Sequence, residues 1–305
     1  MGTPQFAVPT LAALVQQQEV ITVVTQPDAP AGRGRALAQS PVKQFALEHN
    51  LPVLQPETLK SPEVVAQLRD LAPDAIVLAA FGQILRRDVL ALPPFGCINV
   101  HASLLPRWRG ASPISAAIAA GDEITGVTIM RMEAGLDSGP ILTQRQERIL
   151  PADTTDSLTE RLSHVGAELL AETLPRWLNR EISAQPQDEA QVTKCSLLKK
   201  EQGRIDWARS AVEIERHVRA MTPWPSAWCT WQSRQLQIKH ARLSGLHPLV
   251  PNAPGTVVID GGALVGVQCG EGILELLEVQ LEGKRALPAA EFARGQRQFV
   301  GSRLG

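Results

Sequence analysis

The sequence predicts an α/β protein: a doubly wound, mostly parallel sheet followed by a small C-terminal β-barrel. Three observations predict it. At 305 residues the chain is longer than one hydrophobic core usually organises. Strands and helices alternate through the first 180 residues, and short alternating runs with Gly-rich turns follow residue 205. A first domain over 1–180, a linker over 181–205 and a second domain over 206–305 are therefore expected.

In the first part, Val20–Thr25, Ala75–Ala80, Cys97–Val100 and Gly126–Met132 are Val- and Ile-rich runs bounded by Gly, Pro or polar residues, which read as strands. Between them Pro9–Gln17, Pro41–Glu48, Pro62–Leu71, Ser112–Ala120 and Thr155–Trp177 read as helices. Several open on Pro in the first turn behind a Ser cap, as at Ser61-Pro62 and Ser112-Pro113. Such alternation gives a parallel sheet whose ligands bind beyond the carboxyl ends of the strands. At the start, Met1 is followed at once by Gly2-Thr3-Pro4, a turn that ordinarily follows a strand. Either the sheet lacks that strand or the start lies several residues upstream.

Glu181–Lys200 is polar, contains Pro186 and has few periodic apolar residues, so it reads as a linker. A helix over Ala211–Met221 then leads into short strands at Trp228–Trp231, Gln235–His240, Gly255–Ile259, Ala263–Cys269 and Ile273–Gln280. Asp260-Gly261-Gly262 and Gly270-Glu271-Gly272 supply hairpin turns. A small barrel follows, with the OB type one candidate.

Charge and cysteine content bound the function. Residues 1–190 carry 15 Lys+Arg against 21 Asp+Glu, and residues 191–305 carry 15 against 10, which suits an acidic body with a polyanion-gripping appendage or is a fluctuation in surface charge. Cys97, Cys195, Cys229 and Cys269 show no C-x-x-C spacing and read as reduced thiols rather than a disulfide framework or zinc site. No basic-then-apolar leader and no bilayer-length apolar run occurs, so a soluble cytoplasmic protein without a membrane partner is expected.

Three segments carry candidate chemistry. In Cys97–Gly110, Asn99 and His101 lie two apart at a strand end and point to one face. An amide N–H and an imidazolium N–H side by side would clamp a carbonyl oxygen that is becoming an oxyanion. Ser103-Leu104-Leu105-Pro106, apolar and Pro-bounded, could line a pocket for a flat ligand. The plainer alternative for His101 is a satisfied polar residue at a strand end. In Met130–Pro140, Gly135 and Gly139 bracket Asp137 on a tight loop. That carboxylate could support and orient His101 or take a proton through water; otherwise it caps its own turn. In Thr25–Arg35, the Gly32-Arg33-Gly34-Arg35 run is flexible and basic, suited to a phosphate backbone or simply to solvent. No P-loop and no G-x-G-x-x-G after a strand is present, which argues against a dinucleotide oxidoreductase.

On these segments the chain resembles the folate-dependent formyltransferases, and within them the branch that acts on methionyl-tRNA. The resemblance runs through Gly2–Pro4, Thr25–Lys43, Asn99–Gly110, Gly126–Gly139 and Ala220–Pro225. It implies a Rossmann-like formyl-transfer domain, with 10-formyltetrahydrofolate as donor, no metal, and initiator methionyl-tRNA as acceptor. It further implies Asn99, His101 and Asp137 as the catalytic trio, Ser103–Pro106 as the folate contact, and Arg33 and Arg35 with the C-terminal barrel as tRNA contacts. A monomer is expected. The resemblance departs at the N-terminus, where the family's first strand, before Gly2-Thr3-Pro4, has no counterpart. That strand is central in a doubly wound sheet, and its absence exposes flanking strand edges. A small amine acceptor (an amino sugar or a glycinamide nucleotide), water, and a non-catalytic RNA-binding role are the rival readings. An aromatic content of 4% with no Tyr leaves few stacking platforms for the last of these.

Overall fold

Runs of β-branched residues build the buried strands of the first sheet, and Ser-Pro pairs start three of the helices. The computed structural model describes residues 1–31, 36–245, 252–260 and 264–305. By contact they divide into two compact units: 1–113 with 124–148 and 159–195, and 114–123 with 149–158 and 196–305.

In chain order the strands of the first unit are β1 (Val23–Val24), β2 (Ala29–Ala31), β3 (Ala36–Ala38), β4 (Val53–Leu54), β5 (Ile76–Leu78), β6 (Cys97–His101), β7 (Arg109–Gly110), β8 (Ile124–Arg131), β9 (Ile141–Arg148) and β10 (Lys194–Cys195). The helices up to residue 178 are α1 (Val8–Gln17), α2 (Pro41–Glu48), α3 (Pro62–Asp70), α4 (Arg87–Leu90), α5 (Pro113–Ala120) and α6 (Thr155–Leu178). α2 shows how the local sequence starts a helix. Pro41 supplies a preset first residue, and the Ser40 hydroxyl accepts from Lys43 N–H at 3.1 Å.

β4 and β1 pair in parallel, as do β5 and β6. Beyond β6 the sheet changes direction, because β8 pairs antiparallel with β6 and β9 antiparallel with β8. β9 has no strand signature in the sequence. From Thr143 on its residues alternate between half-buried and exposed, and the exposed ones are Gln144, Gln146 and Arg148, as an edge strand tolerates.

Met1 and Gly2 lie between β1 and β5. Gly2 N–H donates to Val24 O at 3.0 Å, Ala79 N–H donates to Met1 O at 3.0 Å, and Gly2 bridges Ala79 in parallel. Beside them lies a cavity of about 450 Å³ lined by Val20–Val24 and Ala75–Val77 among others. The Met1 amine donates to Val77 O at 2.6 Å, and burial pushes it down to about 5. Asn99, His101 and Asp137 are not among the residues lining this cavity.

The stretch read as a linker carries structure: β10 pairs in parallel with β7, and Gln185 exchanges two backbone hydrogen bonds with Ile141.

The second unit carries α7 (Ala211–Ala220), β11 (Ala227–Trp231), β12 (Arg234–Leu243), β13 (Val257–Asp260), β14 (Leu264–Gln268), β15 (Ile273–Leu281), β16 (Ala286–Pro288) and α8 (Ala289–Gly295). α7 opens on a capping box in which Ser210 Oγ accepts from Glu213 N–H and Glu213 accepts from Ser210 N–H. All the strands pair antiparallel in the order β11-β12-β15-β14-β13, with β16 on β15. The chain's last residues join the two edges: Val257 N–H on β13 donates to Ser302 O, and Thr230 on β11 exchanges two hydrogen bonds with Gly305. This closure gives the sheet its barrel character. Trp231, Phe292 and Phe299 pack edge to face with ring centroids 4.9 to 5.6 Å apart. Of the two expected hairpin turns, the one at 270–272 is formed, Cys269 N–H donating to Gly272 O; part of the other, at 260–262, lies outside the described residues.

Candidate functional site

β6 leaves the middle of the sheet carrying the Asn-x-His pair. Asn99 pairs with Leu78 of β5 and Met130 of β8, and His101 pairs with Thr128, so the alternation of a strand sets both side chains on one face. Asn99 is half-buried, and among the described residues its carboxamide has no hydrogen-bond partner. His101 is buried at 6% exposure. Its Nε2 lies 3.1 Å from Trp108 O, and its Nδ1 lies 3.8 Å from Asp137 Oδ2. Because a carbonyl only accepts, Nε2 carries the proton of the first contact. The sequence reading expects that N–H beside Asn99 and open to a substrate oxygen. Here it is engaged by the backbone, whereas the Asn99 carboxamide has no partner among the described residues.

Asp137 sits at the tip of the loop after β8 with φ +47°, in the left-handed region that Asp tolerates better than most residues. It does not cap its own turn: Oδ2 accepts from Gly110 N–H at 2.8 Å, across 27 residues. Two glycines nearby sit where a side chain has no room. A Cβ on Gly110, at φ +123°, would meet Cys195 O at 2.0 Å, and one on Gly139 would meet Arg131 O at 1.9 Å.

The Ser103–Pro106 loop is divided by burial. Ser103 and Leu105 are buried, and they hold the loop's shape: Ser103 Oγ donates to Arg107 O at 2.6 Å, and Leu105 N–H donates to Thr128 Oγ at 3.1 Å. Gln144 donates to both Leu105 O and Thr128 Oγ. Leu104 and Pro106 are half-buried. Arg33 and Arg35 lie outside the described residues; the ribbon of β2 and β3, paired from Ala29–Ala38 to Ala31–Ala36, brackets them. Cys195 is half-buried against Trp108 O and Arg109 O, and burial pushes its thiol up, which disfavours a thiolate nucleophile. Among the described residues no group of three or more His, Cys, Asp or Glu is placed to hold a metal.

Sequence reasoning missed a second layer. Arg109, 4% exposed, donates through Nε to Gln187 Oε1 at 2.9 Å and through both terminal nitrogens to Glu189. The Arg109 guanidinium holds the Glu189 carboxyl below its ordinary range. Gln187 Nε2 donates to Asp137 O and to Gly139 O, each at 2.7 Å. At the carboxyl end of β1 and beyond β5, Gln26 Nε2 donates to Phe81 O at 2.9 Å, and Gln55 Nε2 donates to Gln26 O and Asp28. No sequence motif announces these contacts.

The formyl transferase family model matches residues 1–174, and the model for the formyl transferase C-terminal domain matches 197–297. A methionyl-tRNA formyltransferase of Roseiflexus castenholzii is 50% identical, covering 100% of this chain and 97% of its own. One of Methylococcus capsulatus is 49% identical over 100% of this chain and 98% of its own. Among solved structures, a sugar 3N-formyl transferase, WlaRD, overlays with TM-score 0.67 at 19% identity, covering 93% of this chain and 97% of that one. The methionyl-tRNA formyltransferase of Clostridium thermocellum overlays with TM-score 0.51 at 18% identity, over 75% of this chain and 92% of its own. At such identities the overlays establish the fold, while the matches along the whole sequence establish descent, and the chain belongs to the formyl transferase family.

Proposed function

We propose that the protein transfers the formyl group of 10-formyltetrahydrofolate to the α-amino group of initiator methionyl-tRNA, giving N-formylmethionyl-tRNA for translation initiation. The observation that supports the chemistry is the Asp137 carboxylate 3.8 Å from the His101 ring, on the strand that also carries Asn99, whose carboxamide has no hydrogen-bond partner among the described residues. Identity of about half along the full length supports the acceptor.

The methionine amine, neutral when it reacts, attacks the formyl carbon; the new C–N bond forms as the bond from that carbon to N10 breaks. As the carbon becomes tetrahedral its oxygen gains negative charge, which Asn99 Nδ2–H meets directly. His101 adds the field of its ring and, on exchanging the Trp108 carbonyl for substrate, an N–H; hydrogen bonds of this kind commonly tighten only once substrate is bound. Asp137 keeps one oxygen on Gly110 N–H and supports the ring. Its other oxygen relays the amine proton toward N10 through water. The half-buried Leu104 and Pro106, on a loop fixed by Ser103 and Leu105, form the folate contact. Arg33 and Arg35, with the second unit, meet the tRNA. The division of labour is a catalytic domain over 1–180 and a tRNA-binding domain over 206–305, acting as a cytoplasmic monomer without metal.

Acceptor choice is tested by offering charged initiator tRNA, an amino-sugar nucleotide and glycinamide ribonucleotide with the same formyl donor. Formylation of the charged tRNA at a specificity constant at least 100-fold above either small amine is expected, a ratio of about 2.7 kcal/mol. Preference for a small amine would overturn the acceptor assignment.

A further inference from the structure

We infer that Gln187 is a positioning residue for the Asp137 loop. This rests on Asp137 acting as proposed above. Asp137 is held at one atom by Gly110 N–H, but its aim at the His101 ring depends on the backbone that carries it. That backbone, from Asp137 to Gly139, includes a residue at positive φ and two carbonyls that no helix or ladder satisfies. A single side chain satisfies both, since the Gln187 carboxamide spends its two N–H donors on Asp137 O and Gly139 O, each at 2.7 Å. Its remaining polar atom, Oε1, accepts from Arg109 Nε at 2.9 Å, which fixes the amide's orientation as well as its position. Arg109 is in turn clamped by Glu189 and precedes Gly110, the residue whose N–H grips the Asp137 carboxylate. Both ends of Asp137, carbonyl and carboxylate, are therefore tied to one short segment and its partner, 187–189 and 109–110.

The residue type is specific. Two donors and one acceptor are needed at one site, and of the side chains of this length only Gln carries them. A Glu keeps the acceptor for Arg109 and nearly the same shape, but turns its other oxygen toward two carbonyls. Gln187→Glu thus separates a clamp on the loop from a scaffold for Arg109.

The test measures kcat, both KM values and Tm for Gln187→Glu and Gln187→Met, alongside Asp137→Asn, from about pH 8 to about pH 5, where a carboxyl begins to take up a proton. The expected result for Gln187→Glu is a kcat about 10- to 100-fold lower, as misplacement of a reacting group by about an ångström produces. KM values should stay within about twofold. The activity of Gln187→Glu relative to the parent should also rise as pH falls, because a protonated carboxyl regains one O–H donor for a loop carbonyl. Gln187→Met, of similar length and without donors, should show the kcat loss at every pH, and it decides the matter if Gln187→Glu does not fold. A folded variant with parental kcat overturns the inference, as does a loss in Gln187→Glu that is flat with pH and accompanied by raised KM. If Asp137→Asn itself keeps parental kcat, the catalytic assignment of Asp137 fails instead, and the two failures are told apart.

Discussion

Asn99 and His101 illustrate how much a local rule can deliver. Strand alternation depends on backbone geometry alone, so two residues two apart at the end of a buried strand must share a face, and they do. What lies opposite them is not local. The contact of Asp137 with Gly110 spans 27 residues, and that of Gln187 with Asp137 spans 50, so neither the 3.8 Å approach to His101 nor the carbonyl clamp could be read from spacing. The partner of Nε2 was equally hidden, because a backbone carbonyl carries no residue-type signal; the Trp108 carbonyl reaches the ring through a residue at φ +60°. The residue-scale prediction concerns Asn99. Asn99→Ala should lower kcat about 10²- to 10³-fold, the usual cost of one oxyanion donor, and leave tRNA affinity within about twofold. Single-turnover formylation and filter binding measure the two; parental turnover would remove Asn99 from the mechanism.

At the scale of elements, capped amphipathic helices and buried β-branched strands were legible, while elements made by their partners were not. β9 is an edge strand whose exposed residues are polar, and β7 and β10 are two-residue strands that exist through their mutual pairing. Residues 185–195 look like a linker by composition, yet they exchange hydrogen bonds with Ile141, Arg109, Trp108 and Pro106. Polar composition records exposure of side chains, whereas this segment is fixed largely through its backbone. α7 offers a prediction of its own. The ring of His217 is half-buried, and its Nε2 is shielded from solvent without a hydrogen-bond partner among the described residues. Burial lowers its pKa, and the nearby charge of Arg209 acts in the same direction. Below about pH 6.5 the unfolded chain binds a proton that the folded helix does not, so stability falls as pH drops through that range. His217→Leu should flatten that part of the Tm–pH curve, and an unchanged slope would show that His217 does not contribute.

For the whole molecule, the division by contact changes the meaning of the charge count. Residues 196–305 carry 14 Lys+Arg against 10 Asp+Glu, but segments 114–123 and 149–158 belong to the same unit. They add Asp122, Glu123, Asp153 and Asp156, which brings that unit to 14 of each sign. The basic surplus of the C-terminal sequence is therefore not the net charge of the folded unit. A grip on tRNA has to come from where the cations sit rather than from how many there are. The central claim concerns chemistry: a formyl group leaves reduced folate only for the amine of a charged tRNA. It is tested most directly by following tetrahydrofolate release from 10-formyltetrahydrofolate with and without methionyl-tRNA. The account predicts one tetrahydrofolate per formylated tRNA and negligible release without acceptor. Release at the same rate in the absence of methionyl-tRNA, or none in its presence, would contradict it.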